Sequence, residues 1–203
     1  TCIITARNRK GDYFGSEPGE SQFVIVNGGE EIYQKENVVT RDAWRKSLAQ
    51  AATGEEDSLT GMCGSILVFV HGYNNDIQTV LWRTRKLQET LDAQGWKGVV
   101  VGFDWPSDNS TLNYHEDRSD ASQVALQLVT ECLGLLVTGQ NPKHGQPACK
   151  LDVHLIGHST GAYAIMEAFA QAEKYKQYYK EDWRLGQVVF VGGDVAANSL
   201  LVA

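Results

Sequence analysis

Four short apolar runs, separated by longer segments with helical spacing, dominate the hydrophobic pattern of the chain. The runs cover residues 65–70, 99–103, 151–156 and 187–191. Their content of valine, isoleucine and leucine is typical of strands that are buried in a parallel sheet. Because helical segments connect them, the pattern predicts an α/β fold with a mostly parallel, doubly wound sheet and helices on both faces.

Helical spacing of apolar residues recurs in four segments. They are residues 40–52, which begin at the capping residue Thr40, and residues 77–91, 121–136 and 162–170. Glycine or proline follows several of these segments, for example Gly95 and Pro142, and is expected to end them.

The N-terminal part of the chain predicts a different arrangement. Residues 2–6 and 23–26 are short apolar strands, and the segment from Gly11 to Gly19 between them is rich in turn-forming residues. We expect the two strands to pair as an antiparallel edge of the sheet. No repeat or low-complexity tract divides the chain, so a single domain over residues 1–203 is expected.

Composition changes this picture little. With 203 residues, 42% of them hydrophobic, the chain is long enough for one sizeable core. A net charge of -7 argues against nucleic acid as a main partner, since phosphate binding requires a face rich in lysine and arginine. No apolar run approaches the roughly 20 residues of a membrane-spanning helix. We therefore expect no membrane span. The cysteines lack metal-site spacing, so we expect no metal site and reduced thiols, with one disulfide as the alternative.

Polar or glycine-rich clusters follow all four predicted strands. They are HGYNN at 71–75, DWPS at 104–107, HSTG at 158–161 and GGD at 192–194. The carboxyl ends of parallel strands lie at one edge of a sheet, where ligands bind in such folds. The convergence of four clusters at that edge predicts a functional site.

The third cluster contains the pattern G-x-S-x-G, from Gly157 to Gly161, between a predicted strand and a predicted helix. Such a turn holds the Ser159 hydroxyl clear of both elements. The glycines allow close passage of the chain, and the helix N-terminus places the Thr160 amide where an oxyanion develops. The pattern predicts Ser159 as a nucleophile, and the alternative is a glycine-rich strand end without chemistry.

In these motifs the chain resembles the α/β-hydrolase superfamily. More narrowly, it is similar to an uncharacterised bacterial hydrolase-like family that combines FVHGYN, WPS and a later serine elbow, here at 69–74, 105–107 and 157–161. Residues 6–10 and 13–15 also resemble the opening segment of that family. The similarity therefore extends over nearly the whole chain.

The resemblance implies roles for individual residues. Ser159 would be the nucleophile, and the backbone amides of Thr160 and Tyr73 would form the oxyanion hole. Tyr73 also lies at a strand end that faces the elbow in the predicted sheet, so both lines of reasoning agree. Trp105 walls the pocket or packs at its rim. The expected pocket residues are His71, Gly72, Asn74, Trp105 and His158.

None of the histidines is an evident general base. We expect His71 to brace its loop through hydrogen bonds, the ring of His158 to point away from the serine, and His154 to face a packed layer. His144 lies in a loop rich in proline and glycine. His115 is the remaining candidate, although a solvated loop histidine is the simpler interpretation.

In this superfamily the triad follows the order serine, acid, histidine. Asp194 is a candidate for the acid or a strand-end residue, and Asp104 is expected to orient its own loop. No histidine follows Asp194 in the sequence. We therefore expect a fragment that lacks the last strands and the catalytic histidine, in preference to an inactive protein with the same fold.

Together, these features predict a serine hydrolase that cleaves an ester or related acyl bond of a small molecule through an acyl-enzyme on Ser159. Neither a metal nor an organic cofactor is implied. Two alternatives remain. One is a binding or interaction module that has kept the fold, and the other is an acyltransferase that passes the acyl group to an alcohol.

Overall fold

One seven-stranded sheet organises the part of the chain that the structure, a computed structural model, describes. That part comprises residues 1–52, 54, 64–107, 114–137, 151–174 and 184–193, with the backbone alone for 114–120. In chain order the strands are β1 Cys2–Lys10, β2 Tyr13–Ile25, β3 Val38–Val39, β4 Gly64–Val70, β5 Gly98–Asp104, β6 Leu151–His158 and β7 Val188–Val191. They lie side by side in the order β3-β2-β1-β5-β4-β6-β7.

Five neighbouring strands, β1, β5, β4, β6 and β7, run parallel, and β2 and β3 add an antiparallel edge. The predicted mostly parallel sheet and the antiparallel pairing of the N-terminal strands are both confirmed. Beyond the prediction, β1 joins the parallel part of the sheet, because Cys2 pairs with Val101 and Thr5 with Asp104. The residues of β1 after Thr5 therefore extend past the carboxyl end of β5, at the predicted site edge.

The turn between β1 and β2 is shorter than the predicted segment from Gly11 to Gly19. The turn consists of Gly11 and Asp12, and β2 begins at Tyr13. Gly19 serves close packing instead, because a Cβ there would lie less than 3.0 Å from the backbone of Asn8 in β1. The pairing of β1 with β2 shifts register in this region, and such irregularities favour glycine.

Helices cover both faces of the sheet, as predicted. In chain order they are α1 Arg41–Ala52, α2 Ile77–Ala93, α3 Tyr114–Gln127, α4 Gly134–Val137 and α5 Thr160–Lys174, with a π-helical segment, Leu128–Leu133, between α3 and α4. On one face, Trp44 of α1, Val124 of α3 and Ile165 of α5 belong to the main hydrophobic core. On the other face, Leu81 of α2 packs in a smaller cluster with Ile3 of β1.

The order of the strands places a crevice beyond the carboxyl ends of β4 and β6. From β4 the chain crosses to β5 on one side, whereas β6 lies on the other side of β4. Where successive connections leave in opposite directions, ligands bind outside the carboxyl ends of the two strands. The loop after β4 and the turn after β6 therefore form the two walls of the candidate site.

The β7 side of the sheet is more open than the apolar pattern predicts. Residues of β6 alternate between buried and half-buried positions. In β7, Val188, Val189 and Val191 are 39%, 42% and 45% exposed. Helices and loops of the described part of the chain therefore cover β6 and β7 only in part.

Two further expectations concern membranes and cysteines. Within the described part of the chain, every helix is too short or too polar to cross a membrane. Cys2 and Cys132 are buried free thiols, as expected, and Cys63 and Cys149 lie outside the described residues.

Candidate active site

Ser159 occupies the turn between β6 and α5. Its backbone φ is 52°, in the left-handed region that residues other than glycine rarely adopt. The Ser159 amide donates to the carbonyl oxygen of Val191 at 3.0 Å, and the Ser159 carbonyl oxygen accepts from the amide of Ala162 at 3.0 Å. The side chain is half-buried. The sharp strand-to-helix turn that the G-x-S-x-G pattern predicts is present.

Both glycines of the pattern lie in contacts that leave no room for a side chain. A Cβ on Gly157 would lie 2.8 Å from the amide nitrogen of Ala162, and a Cβ on Gly161 would lie less than 3.0 Å from the carbonyl oxygens of Val70 and His71. Gly161 therefore allows the first turn of α5 to rest against the end of β4. This contact fixes the position of the elbow relative to the opposite wall.

Gly72 lies in the opposite wall, directly against the serine. A Cβ on this residue would lie 2.9 Å from the Cβ of Ser159 and 2.7 Å from the carbonyl oxygen of His158. Tyr73, the next residue, is half-buried, and Asn74 is exposed with a φ of 55°. The structure thus brings the loop after β4 directly against Ser159.

Thr160 is the first residue of α5 and is fully buried. Amides in the first turn of a helix have no partner within the helix, and the helix dipole makes this end attractive to negative charge. The Thr160 hydroxyl oxygen has no hydrogen-bond partner among the described residues. The Thr160 amide lies next to Ser159 at the positive end of α5.

A buried ionic cluster lies beneath the loop after β4. Asp104, at the end of β5, accepts hydrogen bonds at 2.8 Å from the Arg7 guanidinium and at 3.0 Å from the Thr5 hydroxyl. The Tyr33 hydroxyl also donates to this carboxylate, and Nε2 of His71 lies 3.1 Å from it. All five side chains are buried. Buried charges are stable when they are paired and fully hydrogen-bonded, as Asp104 is here.

The surroundings of Asp104 hold it in the ionised form. Burial alone would raise the pKa of this carboxyl, but the Arg7 charge and the contact with His71 more than offset burial and lower the pKa. Burial, followed by the Asp104 charge, raises the pKa of Tyr33 well above its usual value. Tyr33 is therefore a neutral donor to an ionised Asp104.

His71 braces the loop from inside the protein, as expected. The carbonyl oxygen of Gly72 can accept a hydrogen bond but cannot donate one, so Nδ1 of His71, 2.8 Å away, carries the hydrogen. The Trp105 ring stacks on the His71 ring with centroids 5.3 Å apart, and its Nε1 donates to the His71 carbonyl oxygen at 2.8 Å. Both side chains are fully buried. They support the loop from below, and neither side chain is exposed to an open pocket.

The ring of His158 lines a groove on the α2 side of the sheet. The groove has a volume of about 320 Å³. Burial, followed by the nearby charge of Arg83, lowers the pKa of His158. The apolar residues that line the groove are Phe69, Trp82, Leu87, Ile156 and Val191.

Three other sequence candidates lie elsewhere. His154 is half-buried and its ring lies beside Gly186, and the expectation that it faces a packed layer stays a prediction. His115 lies in the first turn of α3 and not in a loop. Asp194 and His144 lie outside the described residues.

Sequence reasoning missed the partners that hold the site from below. Asp104 was expected to orient its own loop, whereas it joins β1, β5 and the loop after β4. Arg7 had a weak signal, because a cation follows the apolar run of β1. Tyr33 lies in a segment without periodicity and had no signal. Asn75 follows a similar asparagine, but its side chain is buried and donates to two carbonyl oxygens of the loop.

No set of three or more histidine, cysteine, aspartate or glutamate side chains in the described part of the chain is grouped so that it could hold a metal ion. The described residues of the site form a serine elbow, a glycine-containing loop and a buried cluster that supports the loop.

Comparison with known proteins identifies the family. A family model described as "Alpha/beta hydrolase of unknown function (DUF900)" matches residues 51–200, which is well over half of the 203 residues. No curated protein and no solved structure matches the chain. The matched range includes β4 to β7, the loop after β4 and the Ser159 elbow. The chain therefore belongs to this family of α/β hydrolases, whose function is not known.

Proposed function

We propose that the protein is a serine hydrolase that cleaves an ester or related acyl bond through an acyl-enzyme on Ser159. The observation that carries this proposal is the left-handed backbone of Ser159, at the N-terminus of α5 and directly against Gly72. A non-glycine residue in this conformation stores strain, which is typical of nucleophile elbows. The ordered FVHGYN, WPS and GHSTG motifs, in a single hydrolase-like domain over residues 1–203, support the same proposal.

In the proposed reaction, the Ser159 hydroxyl oxygen attacks the carbonyl carbon of the substrate. The backbone amides of Thr160 and Tyr73 donate hydrogen bonds to the oxyanion of the tetrahedral intermediate. The bond to the leaving alcohol then breaks, and the alcohol takes up the proton that Ser159 lost. Water attacks the acyl-enzyme in the second half of the reaction, which releases the acid and restores the Ser159 hydroxyl.

A general base must carry the proton between these groups. His71 does not fit this role, because its ring is buried and hydrogen-bonded beneath the loop. The proposal therefore assigns the base to a histidine outside the described side chains. It assigns the triad acid to Asp194, which follows β7 in the sequence.

Covalent labelling tests the proposal. A fluorophosphonate probe forms a phosphorus–oxygen bond with an activated serine and loses fluoride. We expect the intact protein to acquire one adduct, located at Ser159 by peptide mass spectrometry, and p-nitrophenyl acetate to be hydrolysed with an initial burst. Ser159→Ala and heat-denatured protein are the controls and should not be labelled.

Absence of labelling on the native protein, together with absence of turnover, would instead indicate a binding module with the hydrolase fold. If labelling occurs but an added alcohol captures the acyl group in preference to water, the protein is an acyltransferase. Either of these two results would overturn the proposed hydrolysis.

A further inference from the structure

We propose that Asn75 is a positioning residue that orients the Tyr73 amide toward the oxyanion. This inference rests on the proposed function of Ser159. The Asn75 side chain is 1% exposed. Its Nδ2 donates to the carbonyl oxygen of Gly72 at 2.8 Å and to that of Tyr73 at 2.7 Å. One side-chain amide thus holds two consecutive peptide groups of the loop that faces Ser159.

The orientation of the Asn75 amide follows from its partners. Both partners are carbonyl oxygens, which accept hydrogen bonds and cannot donate them, so Nδ2 and not Oδ1 must face them. Oδ1 has no hydrogen-bond partner among the described residues. The side chain therefore places its donor group against the loop and leaves its own acceptor without a partner in the described part of the chain.

Holding the Gly72 carbonyl also determines the direction of the Tyr73 amide. The Gly72 carbonyl and the Tyr73 N–H belong to the same planar trans peptide group, in which they point in opposite directions. Nδ1 of His71 and Nδ2 of Asn75 both donate to the Gly72 oxygen, each at 2.8 Å. The buried side chains of His71 and Asn75 hold the Gly72 carbonyl toward the protein interior, so the Tyr73 N–H points away from the interior. This is the amide to which the proposed function assigns part of the oxyanion hole.

The main chain of Asn75 is also hydrogen-bonded on both sides, through its amide and its carbonyl oxygen. The Ser107 hydroxyl accepts from the Asn75 amide at 3.0 Å and donates to the Asn75 carbonyl oxygen at 3.1 Å. Nη2 of Arg7 donates to the same carbonyl oxygen at 2.8 Å. Because Arg7 is paired with Asp104, the buried cluster and the loop form one connected set of hydrogen bonds. Asn75 connects that set to the Gly72–Tyr73 peptide.

Asn75→Asp is the sharpest test, because it keeps the size of the side chain but replaces the donor with an oxygen that repels two carbonyl oxygens. Complete loss of one oxyanion donor costs ~10²- to 10³-fold in rate. Because Asn75→Asp misorients the Tyr73 amide without removing it, we expect the rate of fluorophosphonate labelling at Ser159 to fall by less, about 10- to 100-fold. For p-nitrophenyl acetate, kcat should fall by a similar factor with little change in KM. Asn27→Asp makes the same chemical change at an exposed position near the opposite edge of the sheet, and should leave both values unchanged.

A second variant separates positioning from folding. Asn75→Ala removes the donor without adding a repulsive oxygen, so its labelling rate should lie between those of the wild type and Asn75→Asp. All rates are divided by the folded fraction, measured by circular dichroism under the labelling conditions. If Asn75 acts only on stability, the rate per folded molecule will equal that of the wild type in the Ala variant and in any folded Asp variant, and the inference is wrong.

The two proposals fail in different ways. If the wild type is not labelled at Ser159, the proposed function is overturned and this inference falls with it. If the wild type is labelled and folded Asn75 variants react at the same rate, the function stands and the positioning role is rejected.

Discussion

Gly161 lies in a close contact between the two walls of the site. Its position in α5 faces the carbonyl oxygens of Val70 and His71, which belong to the backbone and cannot rotate away as a side chain can. We expect Gly161→Ala to lower the free energy of unfolding by about 1–3 kcal/mol or more, as overpacking does in well-packed regions. Urea denaturation measures this loss, and labelling of Ser159 should slow because α5 moves away from β4.

Gly28→Ala is the matched control for this substitution. Gly28 is exposed, and a Cβ there would meet no atom within 4 Å. Equal effects of the two substitutions would show that the tight contact at Gly161 does not determine the stability of the elbow.

Among the elements, α2 begins directly after the loop that faces Ser159. Asp76 is its N-cap, and the Asp76 side chain accepts from the amide of Thr79 at 2.7 Å. This hydrogen bond lowers the pKa of the Asp76 carboxyl. The cap therefore fixes where the loop ends and the helix starts.

We expect Asp76→Ala to reduce the free energy of unfolding by about 1 kcal/mol, because the Thr79 amide loses its acceptor. Asp76→Ser, which keeps a capping oxygen, should recover most of this loss. The comparison is made by urea denaturation of both variants at neutral pH. A Ser variant as unstable as the Ala variant would contradict the capping role.

The cap of α1 was predictable from its local sequence. Thr40 precedes the helix and its hydroxyl accepts from the amide of Ala43 at 3.3 Å, as the sequence predicts. A cap and its partner lie three residues apart, so the information is contained in a short stretch of chain. The extent of β2 was not predictable in this way, because Gly19 owes its role to Asn8 in another strand.

At the scale of the whole molecule, the ionic cluster around Asp104 connects distant parts of the chain. It makes the free energy of unfolding depend on pH. The folded-state pKa of Asp104 is lowered, so the ionised carboxylate contributes stability above the ordinary value of 3.8, and this contribution is lost as the pH falls below that value toward the folded pKa. The wild type should therefore lose stability steeply below about pH 4.

At pH 7, we expect Asp104→Asn to reduce the free energy of unfolding by about 3–5 kcal/mol, because it leaves the buried Arg7 charge without a partner. The difference in free energy of unfolding between Asp104→Asn and the wild type should become smaller as the pH falls below 4, because the wild type then also loses the Asp104 charge. Denaturation curves from pH 3 to pH 7 measure this dependence. Asp12→Asn, which removes an exposed partner of Lys35, should have nearly the same free energy of unfolding as the wild type over this pH range. A difference that stays constant with pH would contradict the assignment of the charge to Asp104.

Features whose causes are local could be predicted from the sequence. Apolar runs and helical spacing predict the parallel strands and the crossover helices, because burial on a strand or helix leaves a periodic pattern. The five residues from Gly157 to Gly161 predict the elbow, because its backbone angles and close contacts are needed within one turn. The carboxyl-end rule for parallel sheets then predicts where the loops converge.

Which side chains support the site depends on contacts between distant parts of the chain. Arg7 and Asp104 are 97 residues apart, and Tyr33 and Asp104 are 71 apart, so no local pattern records that they meet. They meet because β1 joins the parallel sheet beside β5, a pairing that the apolar pattern does not specify. In the same way, burial of the Asn75 side chain against two carbonyl oxygens depends on the packing of its loop over that cluster. The turn that holds Ser159 is determined by neighbouring residues, whereas the support of the loop that faces it depends on long-range pairing.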